Sequence, residues 1–162
     1  MPGRPPLIHP RLAAAAAAAV IGGVVVGCSS TSLSITPPRP SGAVEAKCAH
    51  LNTMLPSRLE SLGSRVVEPH SPLTHAWGNP AVVLRCGVPR PAGYSPLSSQ
   101  TTVVNGVSWF QHIGKDTVTW TAVQGRPRRV PEVDVSLAIP THYADQGAFL
   151  VDLATPLKAA LR

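Results

Sequence analysis

The chain is poor in acidic, charged and aromatic residues, and it lacks the short motifs that mark common catalytic and metal sites. Only 8 of its 162 residues are Asp or Glu, charged residues make up 14%, and aromatic residues make up 4%. No basic stripe interleaved with aromatic residues is present, so nucleic acid is not an expected partner. Because no Gly-x-Ser-x-Gly elbow, phosphate-binding glycine loop, Cys-x-x-Cys pair or His-x-x-x-His motif occurs, we expect no catalytic residue, cofactor or metal site.

The residues that could carry chemistry have simpler interpretations. Glu132 and Asp134 would lie on one strand face about 7 Å apart, a spacing that suits paired carboxylates. Arg85 or a nearby arginine turn could instead neutralise them, and a solvated strand face is the simpler reading. The histidines show no structural-zinc spacing, and we expect surface or hydrogen-bonding roles for them: His50, His70, His75, His112 and His142.

The N-terminal head reads as an export signal. A run of about 15 apolar residues leads to Cys28. The run has the length of a secretory signal core and is shorter than a membrane-spanning helix. Its end, Val25-Val26-Gly27-Cys28, resembles the lipobox of bacterial lipoproteins. On that resemblance residues 1–27 are a lipoprotein-type signal, and Cys28 is lipidated and attaches the protein to the outer face of the cytoplasmic membrane. An ordinary signal peptide or an uncleaved N-terminal single-pass anchor is the alternative.

Cysteine parity predicts a disulfide. If Cys28 carries lipid, Cys48 and Cys86 remain as an even pair in an exported protein. Two free buried thiols are the alternative.

The mature chain is mildly basic. From Cys28 onward it has 12 Lys and Arg and 8 Asp and Glu, a net charge of +4. This charge suits a partner such as an anionic envelope polymer or a lipid head group, or it is simply that of a mildly basic surface.

The pattern along the mature chain predicts a Ser/Thr/Pro-rich tether over residues 28–43 and a single α+β extracytoplasmic domain over residues 44–162. An apolar stripe from Val44 through Cys48 to Leu62 predicts a helix that Pro56 kinks or splits. Period-two alternation, with a hairpin signal at Asn105-Gly106, predicts an antiparallel sheet of about four to five strands. A C-terminal stripe from Phe149 to Leu161, interrupted at Thr155-Pro156, predicts the second helix. The disulfide would join the first helix to the strand over residues 81–87.

One surface is a candidate for ligand binding. Trp77 lies in a stretch flanked by Gly and Pro, where a large ring serves either as a lid on the core or as a recognition surface. The remaining candidates are all basic: Arg85 on the strand over residues 81–87, and the turn with Arg126, Arg128 and Arg129. Together these residues would line a shallow groove for an anionic glycan or lipid head group.

Several segments resemble the actinobacterial domain-of-unknown-function family 3515. They are Ala76-Trp77-Gly78, Leu84-Arg85-Cys86-Gly87-Val88-Pro89, Gly106-Val107-Ser108-Trp109 and Val133-Asp134-Val135. The resemblance covers most of the mature chain and implies a secreted or membrane-attached envelope protein with a paired cysteine. It brings no activity or catalytic residue. We therefore expect a non-enzymatic accessory or binding module; the alternatives are a small envelope hydrolase or an anchored structural subunit with a protein partner.

Overall fold

The computed structural model describes residues 1, 3, 32–97, 99–123 and 132–161. The predicted lipidation site, Cys28, and the predicted basic turn with Arg126, Arg128 and Arg129 lie outside these residues. The described helices are α1 (Gly42–Met54) and α2 (Gln146–Ala160). The strands are β1 (Leu33–Ser34), β2 (Arg58–Leu59), β3 (Leu62–Gly63), β4 (Val67–Glu68), β5 (Thr74–Trp77), β6 (Val82–Val88), β7 (Thr102–Val104), β8 (Val107–Ile113), β9 (Thr117–Ala122) and β10 (Asp134–Pro140).

The centre of the fold is a six-stranded antiparallel sheet in the order β5-β6-β10-β9-β8-β7, with both helices on one face. The α+β prediction is therefore confirmed. The predicted number of strands is wrong, because the sheet also contains β5, whose residues lie between prolines and Gly78 and do not themselves predict a strand. The sheet buries alternate residues against the helices, including Leu84, Leu137 and Trp109.

The first helix stops earlier than its apolar stripe suggested. Leu55, the residue before Pro56, has an extended backbone with φ −66° and ψ 139°, because the proline ring disfavours helical geometry in the preceding residue. Val44, Cys48 and Leu51 are buried as predicted. Beyond the proline, Leu59 reaches the core from β2 instead of from a helix, with 0% of its surface exposed.

The disulfide predicted from cysteine parity is present and joins the two layers. Cys48 of α1 and Cys86 of β6 are bonded, with 5.6 Å between their Cα atoms, and both are buried in the core. The bond fixes the helix over β6, the second strand of the sheet.

The second helix is continuous through Pro156, so the predicted interruption at Thr155-Pro156 is wrong. The proline ring is buried against the core. The carbonyl that loses its donor belongs to the exposed Asp152, where water can replace the lost bond. At the other end, the Asp145 carboxylate accepts a hydrogen bond from the Ala148 amide and caps the helix.

The predicted hairpin at Asn105-Gly106 is confirmed. Asn105 has φ 47° and Gly106 has φ 82°, the two positive values that a type I′ turn requires between β7 and β8.

The segment before the first helix is packed onto the domain, so the predicted tether over residues 28–43 is wrong for residues 32–41. Leu33 and Ser34 pair in parallel with Val67 and Glu68 of β4. Ile35, one of the two large apolar residues here, is only 3% exposed. The segment finds a strand partner and an apolar site that composition alone does not reveal.

A β-bulge shapes the end of β6. The register shifts between Asp134 and Val135 of β10, and Gly87 is the extra residue on β6, with φ +81°. A Cβ built on Gly87 would lie 2.8 Å from Pro40 Cγ, so the glycine lets the chain before α1 pass close to the sheet.

Candidate functional site

The face of the sheet opposite the helices carries a row of side chains that crosses five strands. Directly opposed pairs in an antiparallel sheet share a face, with Cβ atoms about 5 Å apart. The strand register therefore aligns one residue from each of β5, β6, β10, β9 and β8 on this face, named the open face because both described helices lie on the other side. These residues, named the Arg85 row, are Thr74, Arg85, Ser136, Thr121 and Phe110.

Arg85 is the only cation in the Arg85 row and is half-buried, whereas its row neighbours Ser136 and Thr121 are buried. Within the described part of the chain it makes no hydrogen bond and no ion pair. Thr74, directly opposite on β5, is 4% exposed, and its hydroxyl is buried without a hydrogen-bond partner. A half-buried cation beside an unpartnered hydroxyl is costly unless another group supplies the missing acceptor.

An ion-paired arginine binds the two carboxylates at the start of β10. Arg90 donates from Nε to Asp134 Oδ2 at 2.8 Å and from Nη2 to Asp134 Oδ1 at 3.3 Å, and it also pairs with Glu132. Desolvation would lower the pKa of Arg90, but its hydrogen bonds and charge interactions with Asp134 and Glu132 outweigh that effect and raise it. The two carboxylates are therefore held by a cation, which does not favour paired-carboxylate acid and base chemistry.

The same arginine begins a strap over the open face. Its guanidinium lies 5.4 Å from the centre of the Tyr94 ring, and Tyr94 packs edge-on against Phe110 of β8 at 5.3 Å between ring centres. Residues 90–94, named the strap, thus run from the start of β10 to β8. Asp134 lies two residues before Ser136 on the same face, so the strap forms one side of the Arg85 row.

The predicted ligand surface is brought together only in part. Arg85 lies on the open face as an available cation. Trp77 is fully buried within β5, and its indole N–H donates to the Pro56 carbonyl at 2.9 Å. The prediction that Trp77 lines a groove is therefore wrong: its side chain belongs to the core. The position of the arginine turn relative to Arg85 lies outside the described residues.

One pair has the separation of a nucleophile and a base. Ser64 Oγ and His75 Nε2 lie 3.0 Å apart, and burial lowers the pKa of His75. However, Ser64 Oγ also lies 3.0 Å from the Ser57 carbonyl, and the Ser64 and Arg65 amides already donate to Ser57 and Ala76. No carboxylate orients His75 among the described residues, and its ring packs on Trp77 at 4.4 Å. The hydrogen bond between Ser64 and His75 therefore has a structural role: it holds the segment around Ser64 against the outer edge of β5.

The remaining titratable side chains are dispersed. Within residues 32–97, 99–123 and 132–161, no three His, Cys, Asp or Glu side chains form a group that could hold a metal ion. No helix in those residues is long and apolar enough to cross a membrane.

Sequence reasoning missed Arg90 and Thr74. The partners of Arg90 lie 42 and 44 residues away, and no local pattern links them. Thr74 belongs to β5, which the sequence pattern does not predict as a strand, so its position opposite Arg85 could not be inferred. The available signal was the run Pro89-Arg90-Pro91, where two rigid neighbours restrict the path of a charged residue.

Comparison with known proteins identifies a family. The family described as "Protein of unknown function (DUF3515)" matches residues 11–162, which is nearly the whole chain. No curated protein and no solved structure matches the chain. The match includes both cysteines of the disulfide, the Arg85 row and the strap, so the chain belongs to the DUF3515 family.

Proposed function

We propose that this chain is a membrane-attached, extracytoplasmic binding module of the cell envelope, and that its Arg85 row binds an anionic group of an envelope glycan or a lipid head group. The proposal rests on one observation: Arg85 lies half-buried on the open face with no hydrogen bond or ion pair in the described part of the chain. A bound anion would supply the acceptor that the protein itself does not.

The neighbours of Arg85 favour an oxyanion. Thr74 has a buried hydroxyl without a partner, and Ser136 and Thr121 continue the row of hydroxyl groups. A guanidinium with flanking hydroxyl donors suits the oxygens of phosphate or carboxylate. The Arg90 bridge does not compete for the anion, because its guanidinium is already paired with Asp134 and Glu132.

The disulfide supports export. Disulfides persist in oxidising compartments and are rare in the cytosol, and the Cys48–Cys86 bond lies in the core. This fits the predicted lipoprotein-type signal and a lipid anchor at Cys28. An anchored module without enzymatic activity is the simplest proposal for these features, and the envelope setting also accords with the mildly basic charge of the mature chain.

The binding proposal is tested with the full chain in detergent solution by titration calorimetry. The probes are glycerol 3-phosphate, which represents a lipid head group, and glucuronate, which represents an acidic glycan; glycerol is the uncharged control. We expect saturable binding of at least one anion and none of glycerol. Arg85→Gln should weaken that binding by roughly ten- to a hundredfold, the value of one or two hydrogen bonds to a charged group.

Two further variants separate a specific site from general charge. Arg39→Gln removes an exposed arginine and should leave the affinity unchanged. Thr74→Val should weaken binding without loss of stability, because it replaces a hydroxyl that has no partner in the protein. Equal losses in the Arg85 and Arg39 variants, or no saturable binding of either anion, would overturn the proposal.

A further inference from the structure

A second site lies on the other face of the sheet, at the edge formed by β7 and β8. A cavity of about 320 Å³ is lined there by Gln100, Thr101, Thr102, Trp109 and Gln111. This volume is at the lower end of the roughly 300–1,000 Å³ typical of small-molecule pockets. Trp109 and Thr102 are directly opposed, and Gln111 lies on the same, helix-bearing face of β8.

The cavity forms because the two strands part. The ladder between β7 and β8 ends at the pair of Thr102 and Trp109, while β8 continues to Ile113 in its pairing with β9. Gln100 and Thr101 therefore leave the sheet beside Gln111. The gap is bordered on one side by Trp109 and Gln111, alternate residues of β8, and on the other side by the residues that lead into β7.

Trp109 provides the second observation. Its side chain is 0% exposed, and its indole N–H is buried without an acceptor in the described part of the chain. The other two tryptophans are satisfied, since Trp77 donates to Pro56 and Trp120 donates to Gln146, each at 2.9 Å. Buried indole N–H groups usually have a partner, so this donor, on a residue that borders a polar cavity, indicates an acceptor that the protein does not provide.

The chemistry of the lining selects the ligand. The described lining residues offer two amides, two hydroxyls and an indole, and none of them is charged. A charged ligand would lose its hydration with nothing to neutralise it, and an apolar ligand would leave the amides unsatisfied. A neutral sugar ring matches both requirements, because it carries no charge and its hydroxyls both donate and accept hydrogen bonds. We propose that this cavity binds a neutral saccharide ring, with the Trp109 indole as donor and Gln111 as a second polar contact.

The test follows the three indole N–H signals of the full chain in detergent micelles by two-dimensional ¹H–¹⁵N NMR. The probes are D-glucose, D-ribose and N-acetyl-D-glucosamine, with glucuronate as the charged comparison. We expect at least one neutral sugar to shift the Trp109 signal saturably while the Trp77 and Trp120 signals stay in place. Glucuronate should bind this site more weakly than the neutral sugars.

Two variants on the same strand locate the site. Gln111→Ala removes an exposed side chain that lines the cavity and should weaken the sugar by about three- to tenfold, the value of one neutral hydrogen bond. His112→Ala, the exposed neighbour on the opposite face, should leave the affinity unchanged. The proposal is overturned if no neutral sugar shifts Trp109 at concentrations that would saturate a Kd of about 10 mM. It is equally overturned if both variants behave alike.

Discussion

Replacing Gly87 with alanine should destabilise the domain strongly, for two reasons that the structure separates. Gly87 has φ +81°, a left-handed conformation that costs an L-residue roughly 1–2 kcal/mol. Its new Cβ would also lie 2.8 Å from Pro40 Cγ and 2.9 Å from Pro40 Cβ. The proline ring cannot rotate away from its own backbone, so relief requires movement of the chain before α1. Such overpacking costs about 1–3 kcal/mol.

The expected loss of unfolding free energy is therefore about 2–5 kcal/mol, the sum of the strain and overpacking costs. It is measured by urea unfolding of the full chain in non-ionic detergent, followed by tryptophan fluorescence, because Trp77 and Trp109 are fully buried. Gly42→Ala is the matched control: nothing lies within 4 Å of its Cβ position, and it sits at the start of α1. It should be neutral or slightly stabilising.

A double variant divides the cost of the Gly87 substitution. Pro40→Gly removes both ring carbons that clash and leaves the backbone strain, so Gly87→Ala should cost about 1–3 kcal/mol less in the Pro40→Gly background than in the natural sequence. A loss below about 1 kcal/mol for Gly87→Ala would refute the reasoning, since the strain by itself should exceed it. So would an equal cost of Gly87→Ala in the natural and Pro40→Gly backgrounds, because the contact with Pro40 would then carry no energy.

Two other predictions concern the anchor and the acid stability of the domain. The protein extracted from membranes of its native host is expected to have an intact mass that starts at Cys28 with a diacylglyceryl group and lacks two hydrogens until reduction; a full-length mass would contradict lipidation. Burial lowers the pKa of His75 below its ordinary value of 6.5, so the unfolded chain binds this proton more tightly than the folded protein does. The unfolding free energy should therefore fall as the pH drops through 6.5 and level off below the folded-state pKa. Urea unfolding midpoints measured between pH 7.5 and 5 should show this decline. The variant His75→Gln should flatten it, whereas the control His50→Gln, at an exposed histidine, should not.

The parts of the fold that sequence predicted are those specified by local pattern. Asn105-Gly106 determines its own turn, because few other residues adopt two positive φ values in succession. The disulfide followed from counting cysteines, and its position on an apolar stripe and an apolar strand face agreed with a helix packed on a sheet. Each of these inferences needed only neighbouring residues.

The parts that sequence missed depend on contacts between distant segments. β5 is a strand because β6 pairs with it on one side and a bridge from Ser64 to Trp77 continues the pairing on the other. Nothing in its own residues outweighs the flanking proline and glycine. The same holds for the candidate site. Arg85 was found because it is a charge on an apolar strand, whereas Thr74 becomes relevant only through its register with Arg85.

The docking of residues 32–41 would limit how far a lipid-anchored domain could stand from a membrane. Five residue steps separate Cys28 from Leu33, where pairing with the domain begins, and a chain spans at most about 3.6 Å per residue, so an acylated Cys28 would lie no more than roughly 18 Å from Leu33. If Cys28 is acylated as we propose, the domain would rest close to the head-group layer. Because β1 pairs with β4 beside β5, the Thr74 end of the Arg85 row would then lie at the edge nearest the bilayer. An anionic lipid would reach that edge by lateral diffusion, whereas a polymer of the outer wall would have to extend down to it.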